Sequence, residues 1–199
     1  MLAAGPHYFI RHGQTDWNAE GRFQGQRDIP LNDIGRAQAR ANGVALRLAL
    51  GDDLESFDFV ASPLVRTRET MMLVREAAGL MPADQFSMEK AILELSFGEW
   101  EGQTEAELRV GYPQQMRERK ADKWHYMPPG EDAESYETLS WRIAAWLERL
   151  QRPTVCVTHG GVIRALFKLS GTLEPQKAAR ENVPQDRILK FTREKAEWL

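Results

Sequence analysis

Apolar residues in this chain fall into short uninterrupted runs and longer stripes spaced at three and four residues. The runs predict strands at residues 7–11, at Phe57-Asp58-Phe59-Val60, between Gln85 and Leu93, at Thr154–Val157 and at Arg187–Phe191. The stripes predict helices. Asn32 caps the first, with Asp33 favourable in its first turn and a helical apolar stripe at Ile34, Ala37, Ala41, Val44, Ala45 and Leu48. Ser62-Pro63 supplies a cap and a first-turn proline for a helix running to about Ala78. Tyr136, Leu139, Ile143, Trp146, Leu147 and Leu150 mark a third helix, and Gly161–Leu169 a fourth.

Two stretches lack a clear period. A polar, glycine-punctuated loop follows the first strand to about Pro30. The segment Ser96–Ser135 carries Gly98, Gly102, Gly111, Pro113 and the break Pro128-Pro129-Gly130, with short helices predicted at Glu105–Val110 and Gln114–Lys123. Strands alternating with helices predict an α/β fold, a three-layer sandwich with a mostly parallel central sheet flanked by helices. No repeat, low-complexity tract or linker interrupts it, so residues 1–199 read as one domain.

Composition narrows the class without naming a function. The 199 residues, 42% hydrophobic and 28% charged, suffice for a sizeable core. A net charge of -3 argues against a broad nucleic-acid or anionic-membrane surface, while leaving room for a local basic pocket. The only cysteine, Cys156, lies inside an apolar strand and fits a reducing compartment. The start is too short and too little basic for a secretory leader, and no apolar run is long enough to span a bilayer. The expectation is a soluble cytoplasmic protein, monomer or homodimer, without nucleic-acid or membrane partners.

Chemistry enters at the strand ends. Arg11-His12-Gly13 follows the first strand, and Thr158-His159-Gly160-Gly161 follows the strand at 154–157. Arg66 comes one helical turn after Ser62-Pro63, and Glu94 follows the third strand candidate. Ligands of open α/β sheets sit at the carboxyl ends of strands, so these four ends predict one shared site. Guanidiniums bind a phosphomonoester bidentately. A neutral imidazole attacks phosphorus through one nitrogen while a hydrogen bond fixes the other. Either His12 or His159 could attack, with the other stabilising the oxygens, and Glu94 is the carboxylic acid placed to protonate a leaving alkoxide.

Several runs then carry a family resemblance: Arg11-His12-Gly13-Gln14-Thr15-Asp16-Trp17-Asn18, Gly21-Arg22-Phe23-Gln24-Gly25, Asp28-Ile29-Pro30-Leu31 and Gly35-Arg36-Ala37-Gln38-Ala39. It resumes at Ser62–Thr70, at Glu94–Gly102 and at Thr158–Gly161. Together these resemble the histidine phosphatase superfamily, also called the phosphoglycerate mutase-like family, over about residues 7 to 170. The resemblance implies a phosphoglycerate mutase-like fold and His12 as the phosphorylated nucleophile. It further implies His159 as a phosphate-binding partner, Arg11 and Arg66 as clamps and Glu94 as general acid and base. Asn18, Gln24 and the Gly25 and Gly160 backbones would complete the pocket for a small phosphorylated substrate. It implies no metal and no cofactor; His7 and His125 stand alone.

Three features favour the phosphatase branch over cofactor-dependent mutases. The segment from Arg66 to His159 is short, Leu95 stands where mutases tend to place a basic residue, and Gly111-Tyr112-Pro113 through Glu134-Ser135-Tyr136 resembles the phosphatases' insert. The expected function is metal-independent hydrolysis of small phosphomonoesters through a phosphohistidine, with mutase-type phosphoryl transfer as the alternative. A module that binds phosphate without turnover is disfavoured, because nucleophile and acid are both present. Trp17, Trp100 and Trp124 read as packing, and Glu89, Glu99 and Glu101 as surface charge. Arg117-Glu118-Arg119-Lys120 with Lys123 reads as a solvated helix face. Which of Glu131, Asp132 and Glu134 faces the pocket stays open.

Overall fold

The computed structural model describes residues 5–199. Its strands are β1 (His7–Arg11), β2 (Asp58–Ala61), β3 (Ser87–Met88), β4 (Thr154–Thr158), β5 (Ile188–Phe191) and β6 (Ala196–Trp198). The helices are α1 (Asp16–Ala19), α2 (Asp33–Leu50), α3 (Val65–Ala77), α4 (Glu105–Gly111), α5 (Pro113–Ala121), α6 (Tyr136–Leu147), α7 (Gly160–Leu169) and α8 (Pro175–Ala178). One sheet has the order β3-β2-β4-β1-β5-β6. Its first four strands are mutually parallel, and β5 and β6 complete it antiparallel. None of the described helices is long and apolar enough to cross a membrane.

Strand alternation sorts the core into two layers. Tyr8, Ile10, Phe59, Ala61, Val155 and Val157 pack with Leu46 of α2 and with Met71 and Val74 of α3. Their neighbours Phe9, Val60 and Cys156 point the other way, onto Ile143 and Leu147 of α6 and Ile163 and Leu166 of α7. This is the expected three-layer α/β sandwich. Pairing register then decides what meets at the sheet's end. Arg11 lies level with Thr158, and Ala61 with Val157. The pairing continues one residue further, as the His12 amide donates to Thr158 O (2.9 Å) and the Ser62 amide to Val157 O (3.0 Å). Residues 12, 62 and 159 are thereby delivered side by side.

Some elements differ from expectation. The third strand is only two residues long and is followed by a 3-10 turn at Lys90–Ile92; α1, α8 and β6 had no clear periodic signal. α3 begins at Val65 rather than at Ser62-Pro63, its amide donating to Asp28 Oδ1 (2.6 Å). Asn32 does cap α2, accepting from the Gly35 amide at 2.9 Å. The apolar stripe on α2, however, faces outward: Ile34, Val44 and Leu48 are 58%, 50% and 82% exposed. The buried face is Gly35, Ala39, Asn42, Gly43 and Leu46. α2 and α3 pack so closely that a Cβ on Gly43 would overlap the Val74 carbonyl. Close helix approach selects small residues, so side-chain hydrophobicity misidentifies the packed face.

That arrangement sets the sign of two substitutions. Gly43→Ala should destabilise the protein by about 1–3 kcal/mol, as overpacking does, whereas Leu48→Ser should stay within about 0.5 kcal/mol. Urea unfolding of both variants checks this; a costly Leu48→Ser with a neutral Gly43→Ala would reverse the assignment of faces.

Candidate active site

The carboxyl ends of β1, β2 and β4 open onto a cavity of about 260 Å³ lined by Arg11, His12, Asn18, Gln24, Gly25, Arg66, Glu94 and Gly160, among others. A larger groove of 820 Å³ runs along β2 and β3 from the opposite end of the sheet. Its charges include the Arg152–Asp58 pair at 3.0 Å, it contains no histidine, and the converging groups belong to the smaller cavity.

His12 is 2% exposed, and its Nδ1 lies 2.8 Å from Gly13 O. A carbonyl oxygen only accepts, so Nδ1 carries the hydrogen and Nε2 holds the free lone pair. Burial, then the charges of Arg66 and Arg11, hold the imidazole well below its ordinary pKa. The ring is therefore neutral and nucleophilic near pH 7. His159 is fully buried behind it, with ring centroids 5.2 Å apart at 61°. Its Nε2 shares a hydrogen bond of 2.8 Å with Ser62 Oγ, while its buried Nδ1 has no partner. Ser62, expected only as a helix cap, instead orients this imidazole.

Arg66 and Arg11 supply the positive charge. Arg66 is fully buried and spans α3 and the loop after α1, donating to Arg27 O (2.6 Å) and Gly25 O (2.8 Å). Arg11 donates to Val183 O at 2.7 Å. Each Nε is buried without a partner, and neither side chain has a carboxylate within 4.0 Å among the described residues. Burial lowers both pKa values to about 10, with Arg164 the next cause for Arg11. Both stay charged near pH 7, and both keep donors unspent.

Glu94 stands on the other side of the cavity. Its Oε1 accepts from the Leu95 amide (2.8 Å) and the Gly161 amide (3.0 Å). A Cβ on Gly161 would overlap that carboxylate, so the glycine lets the start of α7 approach it. The loop bearing Glu94 is fixed by Arg142, which donates to Ala91 O, to Glu94 O and to both oxygens of Glu134. Glu134 thus buttresses the loop, and none of Glu131, Asp132 and Glu134 lines the cavity. Glu101 is also not the surface charge expected. Its side chain is 8% exposed, and its Oε1 accepts from the amides of Gln26 and Phe97, joining two cavity loops.

The remaining expected residues converge as well. Asn18 Oδ1 accepts from the Thr15 amide (3.2 Å) and from Gln185 Nε2 (3.0 Å). Gln24 is 7% exposed, with its Oε1 unpartnered. Gly160 opens α7 and lines the cavity, while the next amide, Gly161, is spent on Glu94. Gln185 was not anticipated: it lies in an irregular stretch, yet its amide also donates to His12 O at 3.1 Å. Trp100 and Trp124 are buried in packing, stacked on Tyr126 and Tyr136. Trp17 lies against Gly102. His125 pairs with Asp122 away from the cavity, and His7 is a buried strand residue.

The model of the histidine phosphatase superfamily (branch 1) matches residues 7–199. The chain belongs to this superfamily. A glucosyl-3-phosphoglycerate phosphatase of Mycobacterium tuberculosis is 31% identical over 167 residues, 79% of this chain and 71% of the relative. A 2,3-bisphosphoglycerate-dependent phosphoglycerate mutase of Gloeobacter violaceus is 29% identical over 183 residues, 87% and 79% of the two chains. Among solved structures, a mycobacterial glucosyl-3-phosphoglycerate phosphatase complexed with VO3 superposes with a TM-score of 0.74 at 27% identity, covering 94% of this chain and 92% of that one. The fold is phosphoglycerate mutase-like, and relatives in this superfamily include both phosphatases and mutases.

Three buried imidazoles couple this superfamily member's stability to pH. Burial holds His7 at about 4, and His12 and His159 also lie below their ordinary value. The unfolded chain takes up these protons near pH 6.5, so their contribution to stability is complete above that pH and is lost as pH falls below it. Urea midpoints should drop between pH 7.5 and 5. His7→Leu, remote from the cavity, should make that drop shallower; an unchanged slope would show that His7 is not kept neutral.

Proposed function

We propose that this protein is a phosphomonoesterase that works on small phosphorylated metabolites through a phosphohistidine at His12. One observation carries the reading: a neutral imidazole with its Nε2 lone pair free stands beside two buried guanidiniums that have no carboxylate partner. Such a space favours an oxyanion that fills it and disfavours water alone. Arg11 and Arg66 grip the phosphoryl oxygens, with His159 Nδ1, Asn18, Gln24 and the Gly160 amide as further partners.

In the first step His12 Nε2 forms a bond to phosphorus as the bond to the ester oxygen breaks. The departing oxygen keeps the electron pair and takes a proton from the Glu94 carboxyl group, leaving as an alcohol. In the second, Glu94 carboxylate takes a proton from water while the water oxygen bonds to phosphorus. The P–N bond breaks, its electrons return to His12, and inorganic phosphate is released. Hydrolysis is preferred to mutase-type transfer because Leu95, directly after the acid, is apolar and 3% exposed. Buried Cys156, the chain's single cysteine, fits a cytoplasmic setting.

His12→Ala should lower phosphatase turnover by about 10³-fold or more, and rapid quenching of the parent should trap an acid-labile, base-stable phosphoryl group on residue 12. Glu94→Gln should lower kcat by about 10²–10⁴-fold on alkyl phosphates, and far less on para-nitrophenyl phosphate, whose leaving group needs no proton. Full activity of His12→Ala would refute the reading. Faster phosphoryl transfer between the hydroxyls of 3-phosphoglycerate, primed with 2,3-bisphosphoglycerate, than hydrolysis would make the protein a mutase instead.

A further inference from the structure

We propose that the groove along β2 and β3 is a second ligand site, which receives a carboxylate borne on an apolar body the size of an aromatic ring, with Arg75 as its anion partner. The site is separate from the phosphate pocket and does not depend on the chemistry proposed there.

Arg75 stands in the last turn of α3, about 14 Å along the helix from Arg66. Arg66 serves the carboxyl ends of the strands. Arg75 instead lines the groove together with Asp58 and Thr154, the first residues of β2 and β4. The groove's 820 Å³ falls within the usual range for small-molecule sites, about 300–1,000 Å³. Phe57, Phe59, Leu80, Phe86 and Leu150 give it apolar walls.

The Arg75 guanidinium is the unspent group of this groove. Arg75 is 6% exposed, yet among the described residues no carboxylate lies within 4.0 Å of it. Its guanidinium stands 4.4 Å over the Phe59 ring, so one face is covered and the donors point along the plane, the geometry that matches a carboxylate. Nε is buried without a hydrogen-bond partner, and Nη2 reaches Pro82 O only at 3.3 Å. Holding a guanidinium out of water unpaired is costly, and a ligand anion offsets that cost. The other charges of the groove are largely answered from within the protein: Arg152 pairs with Asp58 at 3.0 Å, and Glu55 reaches Arg47 at 4.0 Å. Asp84 is the acid of the groove left without a cation within 4.0 Å among the described residues. Burial lowers the pKa of Arg75, and the charge of Asp84 raises it. A free acid near a free guanidinium disfavours a phosphate dianion and favours a ligand with a single negative charge. Two sources carry that chemistry, a simple carboxylic acid and a free amino acid whose ammonium group would face Asp84.

Calorimetry on the unmodified protein tests this with 3-phenylpropanoate and its uncharged analogue 3-phenylpropan-1-ol. The carboxylate should bind about tenfold more tightly. Arg75→Met, which keeps an apolar stem over Phe59, should erase the difference, and saturating inorganic phosphate should leave the carboxylate's affinity unchanged. Should Arg75→Met fail to fold, amide shifts in the NMR spectrum of the unmodified protein decide. Movement at Phe59, Leu80 and Phe86 supports the site, and movement confined to Gly13 and Gly160 overturns it. L-phenylalanine separates the two sources: tighter binding than 3-phenylpropanoate, lost in Asp84→Asn, identifies an amino acid, and equal or weaker binding identifies a simple carboxylic acid. Equal affinity for acid and alcohol, competition by phosphate, or no binding of either carboxylate at millimolar concentration would overturn the proposal. So would a dimer, seen by sedimentation, that Arg75→Met dissociates, because a second copy would then fill the groove.

Discussion

Two guanidinium groups, Arg11 and Arg66, sit where water is largely excluded, and among the described residues no carboxylate pairs with either within 4.0 Å. Removing a charge from water costs several kcal/mol, and backbone carbonyls of Val183, Arg27 and Gly25 offset part of that cost. Much of the surrounding structure serves this constraint. β1 and β4 pair in a register that fixes the strand ends, α3 carries Arg66 from the other side, and the C-terminal stretch returns to place Val183 and Gln185. Burial, reinforced by the same positive charges, keeps both histidines neutral, which a nucleophilic imidazole needs. Under the proposed function, this excess of positive charge supplies the affinity for an oxyanion.

Support around the site is organised by hydrogen bonds between loops rather than by the hydrophobic layers. Glu101 ties the loop after α1 to the loop after Glu94, and Glu134 with Arg142 holds that second loop from behind. Ser62 fixes His159, Gly13 O fixes His12, and Gln185 bridges His12 O to Asn18. Of these contacts, the one from Gly13 O sets which His12 nitrogen is free, and the others hold the loops that carry the site.

The strand ends were readable because apolar runs stop abruptly at Arg11, Thr158 and Ser62, and chemistry-bearing residues follow immediately. Arg66 was readable from its register after Ser62-Pro63, although the helix starts later than that dipeptide suggests. What could not be read depends on long-range partners. Ser62 as a histidine partner, Glu101 as a buried loop tie and Gln185 as a clamp look like ordinary polar residues until the fold joins segments up to 173 positions apart. The outward apolar stripe of α2 misled for a different reason: periodicity reports where hydrophobic side chains lie, while Gly35 and Gly43 pack backbone against backbone.

The decisive measurement is a crystal structure of the protein soaked with vanadate. Vanadium should be bonded to His12 Nε2, with its oxygens contacted by Arg11, Arg66 and His159 and an apical oxygen facing Glu94. Vanadate bound elsewhere, or held in the cavity while the His12 and His159 rings point into different spaces, would contradict it.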